Sequence, residues 1–200
     1  INGKIEFKDT SYTYADSNIE ALKKISFSIN PKKSLGLIGT TGSGKTTALM
    51  LLSRTYDSSS GKILIDNDPI EKFDLEFLRR NIGVVPQDSF LFSDSIINNI
   101  KFGNQKATKL EIEKVCKIAG IHNEILKFDK KYDTILGERG VNLSGGQKQR
   151  VCIARALIMK PKILVFDDCL SALDTETEEK IIRSLNNYIN DTTTIISSHR

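Results

Sequence analysis

The sequence predicts an α/β fold with a mostly parallel core sheet, an N-terminal antiparallel β layer and a helical insertion. Short apolar strands alternate with helical segments, which is typical of a parallel core. Strand patterns at the start of the chain and after Gly61 indicate an antiparallel layer, and residues 90–159 have a mostly helical pattern. A chain of 200 residues can bury one sizeable core, so we expect a single domain.

Each predicted element follows from the periodicity of its apolar residues. Apolar runs bounded by turn residues predict strands at 5–8, 25–29, 35–38, 62–65, 82–85, 163–166 and 193–197. Helical periodicity predicts helices at 46–54, 110–119, 147–159 and 175–189. We expect the core and its β layer at 1–89 and 160–200, and a helical subdomain at 90–159.

Composition and charge argue against several classes of protein. The net charge is +4, from 29 basic and 25 acidic side chains, which is too small an excess to indicate nucleic-acid binding. No apolar run approaches the roughly 18 residues that a membrane-spanning helix needs. Cys116, Cys152 and Cys169 lack metal-ligand spacing, and we expect them to be reduced thiols in a cytosolic protein.

A glycine-rich loop lies between the strand predicted at 35–38 and the helix predicted at 46–54. It fits the P-loop pattern G-x-x-x-x-G-K-[ST], with Gly39, Thr40, Thr41, Gly42, Ser43, Gly44, Lys45 and Thr46, followed by Thr47. Its glycines let backbone N–H groups form an anion-binding nest, and the helix directs its positive end at the phosphates. The motif predicts nucleoside triphosphate binding, with Lys45 on the β- and γ-phosphates and the Thr46 hydroxyl on Mg²⁺.

The strand predicted at 163–166 leads into two acidic residues, Asp167 and Asp168. A buried strand that ends in an acid can deliver a carboxylate to Mg²⁺ beside the P-loop hydroxyl. We therefore expect Asp167 to bind Mg²⁺ together with Thr46. An apolar run followed by Asp is common by itself, so this interpretation depends on the surrounding motifs.

The segment Leu143-Ser144-Gly145-Gly146-Gln147 opens a predicted helix, with Ser144 as a suitable N-cap. Together with the P-loop, this LSGGQ motif makes almost the whole chain resemble the nucleotide-binding domain of an ATP-binding cassette (ABC) transporter. The resemblance implies that Ser144, Gly145, Gly146 and Gln147 cap the γ-phosphate held by the P-loop of an opposing subunit. Two domains would then stack head to tail with two ATP molecules between them.

The residue after Asp167 departs from the family pattern. Active members usually carry Glu there as the base that polarises the attacking water, whereas this chain has Asp168. The shorter side chain draws the carboxylate back by about 1.5 Å, and a displacement of about 1 Å can lower a rate about a hundredfold. We expect the site to bind ATP and hydrolyse it slowly; the alternative is that Asp168 works through a shifted water.

The resemblance implies roles for several further residues. Tyr14 matches the aromatic residue that stacks on adenine, with Tyr12 as its rival. Gln87 matches a glutamine that contacts Mg²⁺ or water and senses the membrane part. His199 matches the switch histidine that hydrogen-bonds the γ-phosphate. The segment Ser171-Ala172-Leu173-Asp174 resembles the D-loop, which crosses the dimer interface.

Two segments are similar to those of exporters. Thr134-Ile135-Leu136-Gly137-Glu138-Arg139-Gly140 resembles a T-x-V-G-E-R-G segment that contacts the coupling helices of the membrane domain, with Leu136 in place of Val. Phe90-Leu91-Phe92-Ser93-Asp94-Ser95-Ile96, with Asn99-Ile100, is also exporter-like. The resemblance implies a half-transporter with an N-terminally fused membrane domain, and a soluble ATPase domain at the cytoplasmic face. Family members continue beyond this histidine, so we expect a truncated C-terminus.

Two alternatives stay open. A soluble ABC ATPase acting on nucleic acid or ribosomes would predict a strongly basic insertion or a second cassette, and neither is visible in the sequence. A regulatory module that binds nucleotide with negligible turnover is compatible with Asp168. The intact Lys45, Asp167 and His199 argue for residual catalysis instead.

Overall fold

The computed structural model describes residues 1–140, 142–171 and 173–199. The chain divides into two compact units. The first comprises Ile1–Gly83, Pro161–Asp168 and the described residues from Asp191 onward, and the second comprises Val84–Lys160 and Cys169–Asn190.

The strands are β1 (Ile5–Thr13), β2 (Glu20–Ile29), β3 (Ser34–Ile38), β4 (Ser60–Ile65), β5 (Asp68–Pro69), β6 (Ile82–Val85), β7 (Ile163–Asp167) and β8 (Thr193–Ser198). The helices are α1 (Lys45–Leu52), α2 (Leu75–Asn81), α3 (Ile96–Lys101), α4 (Lys109–Ile118), α5 (His122–Ile125), α6 (Gly145–Leu157) and α7 (Thr175–Tyr188). Short 3-10 turns lie at Ile70–Lys72, Lys131–Asp133 and Glu138–Gly140.

The strands form the two sheets that the sequence predicts. The N-terminal sheet has the order β2-β1-β4-β5 with antiparallel pairing, and Ile5 lies opposite both Ile29 and Ile65. The second sheet has the order β3-β8-β7-β6, and β8 pairs in parallel with both β3 and β7. The α/β fold class, with an antiparallel layer and a parallel core sheet, is therefore confirmed.

The core of the first unit lies between the antiparallel sheet and α1. Ile5 and Ile65 from the sheet and Leu51 and Leu52 from α1 are at most 1% exposed. Strand β7 is buried along its whole length, which explains its continuous apolar sequence. The strand runs through the core, and Asp167 lies at its carboxyl end.

The second unit is largely helical, and its helices have strong local signals. Thr108 and Glu111 form a reciprocal capping box at the start of α4, whose apolar face is buried. Helix α6 buries most of its length after the first turn. Residues 126–140 and 142–144 form turns and 3-10 segments rather than the helical pattern expected there. Gly140 adopts a φ of +68°, and the Asn142 side chain bonds the backbone of Gly137, so local turn geometry replaces helical bonds.

Other boundaries agree with the predicted elements to within a few residues, apart from longer β1 and β2 strands. The sequence prediction missed the short strand β5 and helix α2, although Asp74 is a clear N-cap for α2 and accepts from Phe77 N–H at 2.9 Å. Cys116, Cys152 and Cys169 are all buried. Among the described residues, the helices are all too short or too polar to span a bilayer.

Candidate active site

The loop between β3 and α1 is a cradle that depends on its glycines. Gly42 and Gly44 adopt φ values of +81° and +89°, in the left-handed region that side chains disfavour. A Cβ on Gly44 would lie 2.6 Å from the carbonyl oxygen of Ala21. Gly44 is also the N-cap of α1 and brings no side-chain hydrogen bond to its first turn. The positive end of α1 is thus left to an anionic ligand, as a phosphate site requires.

The Lys45 ammonium group lies against the same loop. Its Nζ atom donates to Gly39 O at 2.6 Å and to Thr40 O at 2.9 Å, and lies 3.3 Å from Ser43 Oγ. Three contacts within the loop hold the charge beside the glycine cradle. Lys45 can therefore supply positive charge to a phosphate bound there.

A carboxylate and two hydroxyls meet at the end of β7. Thr46 Oγ1 donates to Asp167 Oδ1 at 3.1 Å, and Ser197 Oγ donates to the same oxygen at 2.7 Å. Asp167 is 6% exposed. The hydroxyl of Thr46 and the carboxylate of Asp167 are hard oxygen ligands of the kind that Mg²⁺ prefers. This donor set fits the ion, so Thr46 and Asp167 would hold it.

Asp168 turns away from the strand and meets His199. Its φ is +44°, a left-handed conformation that Asp tolerates better than most residues. Its N–H group bonds both the hydroxyl of Ser197, at 2.9 Å, and the carbonyl oxygen of that residue, at 3.2 Å. Its two carboxylate oxygens lie 2.9 and 2.7 Å from His199 Nδ1. The acid proposed as base and the proposed switch histidine therefore form one contact pair.

Tyr14 and Tyr12 have different environments. Tyr12 is 8% exposed and belongs to the core. Tyr14 is partly buried, and its hydroxyl lies 2.9 Å from Thr47 Oγ1 on α1. Of the two, Tyr14 is the more accessible for stacking on a base, and it is attached to the helix that follows the glycine loop.

The LSGGQ segment forms the start of α6 in the second unit. Ser144 Oγ accepts from Gln147 N–H at 3.2 Å, and Gln147 Oε1 accepts from Ser144 N–H at 2.9 Å. The Gln147 amide also donates to Glu124 Oε2 at 2.8 Å. Burial favours a higher pKa for Glu124, but hydrogen bonds from Arg150 and Gln147 outweigh it and lower that pKa. The segment is thus a capped helix terminus in which Gln147 serves the cap.

Gln87 and the described residues of the predicted D-loop also lie in the second unit. Gln87 is exposed and follows β6 by two residues. Asp174 is the N-cap of α7 and accepts from Thr177 N–H at 2.9 Å, while Leu173 is 7% exposed. Ala172, the second residue of the predicted D-loop, lies outside the described residues.

The exporter-like segments separate into buried anchors and exposed tips. Leu136 is 1% exposed and its N–H bonds Asp94 O at 3.0 Å, whereas Glu138 and Arg139 are exposed. In the other segment, Leu91, Ile96, Asn99 and Ile100 are at most 1% exposed. Phe90 and Phe92 are exposed, and they form an aromatic cluster with Phe102.

The structure thus brings Tyr14, residues 39–47, Asp167, Asp168 and His199 into the first unit, and Gln87 and residues 144–147 into the second. Ser197 is a partner of both acidic residues that was not predicted from the sequence. A serine inside a buried strand carries no sequence signal for this role. The capping role of Gln147 was not predicted either, although Ser-x-x-Gln is itself a capping-box pattern.

Comparisons with known proteins agree with this geometry. The model of the ABC transporter family matches residues 22–171. The ABC transporter ATP-binding protein YfiB of Bacillus subtilis is 49% identical over 188 residues, which are 94% of this chain and 33% of YfiB. ATP-binding cassette sub-family B member 6 of Xenopus tropicalis is 48% identical over 199 residues, 100% of this chain and 23% of that protein.

A solved structure described as a bacterial Atm1-family ABC exporter with ATP bound matches with a TM-score of 0.96 and 41% identity, over 100% of this chain and 35% of that one. The chain spans about a quarter to a third of the length of these curated relatives. The matches favour the exporter class over an ATPase acting on nucleic acid or ribosomes. Because the family match covers most of the chain, and a hydroxyl–carboxylate pair lies beside a glycine-rich loop, this chain belongs to the ABC transporter family, whose ATP-binding domains are ATPases.

Proposed function

We propose that this domain powers transport by ATP-driven head-to-tail dimerisation, with Mg²⁺ as cofactor. The pairing of Thr46 Oγ1 with Asp167 Oδ1 at 3.1 Å, beside the glycine cradle, is the observation that carries the proposal. Each site would combine the P-loop of one chain with the LSGGQ helix terminus of another. The whole would operate at the cytoplasmic face of a membrane, joined to a transmembrane domain.

The dimer arrangement is supported by the start of α6. A Cβ on Gly145 would meet no atom within 4 Å, so packing inside the described chain does not require glycine there. Ser144 and Gly145 are both exposed. A capped helix terminus with a bare backbone can approach a phosphate closely. We infer that the ligand of this terminus is the γ-phosphate bound by the P-loop of the opposing chain.

The proposed reaction is phosphoryl transfer from ATP to water, with catalysis by positioning and electrostatics. Thr46 and Asp167 would hold Mg²⁺, which would supply positive charge that offsets the negative charge of the phosphates. Lys45 would add charge to the same phosphates. Asp168 would accept a proton from the attacking water, and His199, held by Asp168, would hydrogen-bond the γ-phosphate. The role of Gln87 as a further Mg²⁺ or water contact rests on the family resemblance.

We infer that hydrolysis at this site is slow. The Asp168 side chain is one methylene shorter than the usual Glu, and both of its oxygens already lie within 2.9 Å of His199 Nδ1. A water would have to share this short, engaged carboxylate. The intact LSGGQ terminus could still complete a competent site on a homologous partner chain that carries Glu. An identical partner would carry Asp168 as well, so both sites of that dimer would be slow.

The membrane domain would be contacted through the second unit. The exposed groups of this unit in or next to the exporter-like segments include the cluster of Phe90, Phe92 and Phe102 and the pair Glu138 and Arg139. Aromatic side chains exposed as a cluster favour a protein contact. Gln87 and the segment from Gly137 to Gly140 are the proposed points at which closure of the ATPase domains is transmitted.

Complementation between two inactive variants tests the head-to-tail arrangement. Lys45→Ala removes the phosphate-binding charge, and Gly145→Asp places a carboxylate at the signature terminus. Each variant alone has both sites damaged. An equimolar mixture forms mixed dimers in which one site has an intact P-loop and an intact signature, so single-turnover ATP cleavage should partly recover. Mixing each variant with itself at the same total concentration is the control. No recovery in mixtures shown to contain mixed dimers contradicts the arrangement.

A further inference from the structure

The Tyr14 ring is held from several sides within the first unit. Its hydroxyl lies 2.9 Å from Thr47 Oγ1, one residue beyond Thr46 on α1. Tyr12 and Tyr56 meet its ring at centroid distances of 5.0 and 5.9 Å and interplanar angles of 83° and 84°. Neither neighbouring ring lies parallel to that of Tyr14, as a stacked base would.

Tyr56 extends this aromatic cluster from the core to the surface. It stacks on the buried Tyr12 at 5.4 Å and 27°, and it is itself 39% exposed. Edge-to-face pairs are favourable beyond the area that they bury. Tyr56 therefore restrains Tyr14 through its own contact and through Tyr12, although its sequence position, after α1, gives no hint of this role.

We propose that Thr47 and Tyr56 are positioning residues that hold the Tyr14 ring in a set orientation relative to the phosphate loop. The inference rests on the proposed role of Tyr14 as the adenine platform. The hydroxyl bond ties that platform to α1, the helix whose positive end faces the phosphates. The base and the phosphates of ATP are then recognised by one preorganised assembly.

The physical consequence is confined to the base-dependent part of binding. A tyrosine ring that is already ordered loses less side-chain entropy when a base stacks on it. Removing the restraint lowers the affinity for a ligand that has a base, and leaves a ligand made only of phosphates unaffected. Comparing ATP with inorganic tripolyphosphate therefore isolates the effect.

The experiment measures dissociation constants for both ligands with Mg²⁺, by calorimetry on the full chain. Tyr14→Phe keeps the ring and removes the hydroxyl, and we expect ATP binding to weaken about threefold to tenfold. Tyr56→Leu should have a similar effect. Tripolyphosphate binding should stay within about twofold in both variants, a margin comparable to the smallest hydrogen-bond effects. Thr47→Ser retains a hydroxyl and should preserve the ratio of the two affinities.

Phe27→Leu is the matched control. Phe27 stacks on Phe7 at 4.5 Å and 16° in the same antiparallel sheet, away from the tyrosine cluster, so its loss should leave the affinity ratio unchanged. Thermal unfolding checks that every variant is folded. Parallel weakening of both ligands by Tyr14→Phe or Tyr56→Leu overturns the proposal, because it indicates a general structural role.

Tyr14→Ala separates the positioning role from the platform role. If the platform role is right, this variant weakens ATP binding about tenfold or more, as loss of base stacking does, and spares tripolyphosphate. If Tyr14→Ala weakens ATP binding in this way while Tyr14→Phe and Tyr56→Leu bind ATP like the parent, the proposed positioning role is wrong and the platform role of Tyr14 is supported. If Tyr14→Ala leaves the ATP to tripolyphosphate ratio unchanged, both are wrong.

Discussion

Replacing Ser197 with alanine removes one buried hydroxyl that serves both acidic residues of the site. The hydroxyl donates to Asp167 Oδ1 at 2.7 Å and accepts from Asp168 N–H at 2.9 Å. Ser197 is 2% exposed, so water does not readily replace either bond. The substitution is small and leaves the apolar packing of β8 largely intact.

The expected loss follows from these two bonds. A hydrogen bond to a charged group contributes about 1.5–3 kcal/mol. Asp168 N–H keeps its 3.2 Å bond to Ser197 O, so the second loss is smaller. Ser197→Ala should therefore lower the free energy of unfolding by about 2–3 kcal/mol and Tm by about 4–12 °C for a domain of this size. Because Asp167 loses its support, the Mg²⁺ concentration for half-maximal turnover should rise about tenfold.

Thermal unfolding and ATP turnover against Mg²⁺ concentration measure the two effects. Ser197→Thr keeps a hydroxyl and should behave like the parent. Thr194→Val, on the same strand, removes a buried hydroxyl whose bond to Thr192 O is long, at 3.5 Å, and should not alter the Mg²⁺ dependence. If the free energy of unfolding of Ser197→Ala is within about 0.5 kcal/mol of the parent value, the range of an ordinary surface change, and the Mg²⁺ dependence is the same, Ser197 does not support Asp167.

Three further predictions concern stability. Gly61→Ala should lower the free energy of unfolding by at least about 2 kcal/mol in urea titration, because the φ of Gly61 is +80° and a Cβ would lie 2.2 Å from Asp9 O; equal stability would contradict this. Ser144→Ala removes the capping box of α6 and should lower the free energy of unfolding by about 1 kcal/mol, also measured by urea titration. Hydrogen bonding from Lys160 lowers the pKa of Glu111 to about 2, from 4.5. Because this pKa is lower in the folded state, ionised Glu111 stabilises the fold above pH 4.5, and the stabilisation should be lost as pH falls towards 2. The free energy of unfolding of Glu111→Gln, measured against pH, should lack this pH-dependent contribution.

Much of the fold could be predicted because its signals are local. The continuous apolar run of β7 and the P-loop between β3 and α1 have patterns that few other structures produce. The chain at 126–140 was harder to predict, because the apolar residues that are spaced there as in a helix include Leu136, which is buried at an irregular turn. In this stretch glycine and asparagine favour turns, and these turns form in place of a helix.

The site was predictable where a motif specifies atoms, and unpredictable where distant parts of the chain meet. Lys45 and Asp167 are placed by patterns that include their neighbours. Ser197 contacts Asp167 although 30 residues separate them in the sequence. Tyr56 likewise contacts Tyr14, from which α1 and two strands separate it in the sequence. Such contacts depend on the order of the strands and on tertiary packing, so a single sequence does not predict which side chains meet.

ATP turnover by the parent and by Asp168→Glu, measured against protein concentration, tests whether Asp168 makes hydrolysis at this site slow. Thermal unfolding must accompany it, because Glu is less tolerant than Asp of the φ of +44° at this position. We predict that the parent binds ATP with little turnover, and that Glu raises the rate about tenfold or more, by moving the carboxylate outward by about 1.5 Å. Ready hydrolysis by the parent, with a rate per molecule that rises on dimerisation and hardly changes in Asp168→Glu, would contradict the claim that Asp168 slows hydrolysis.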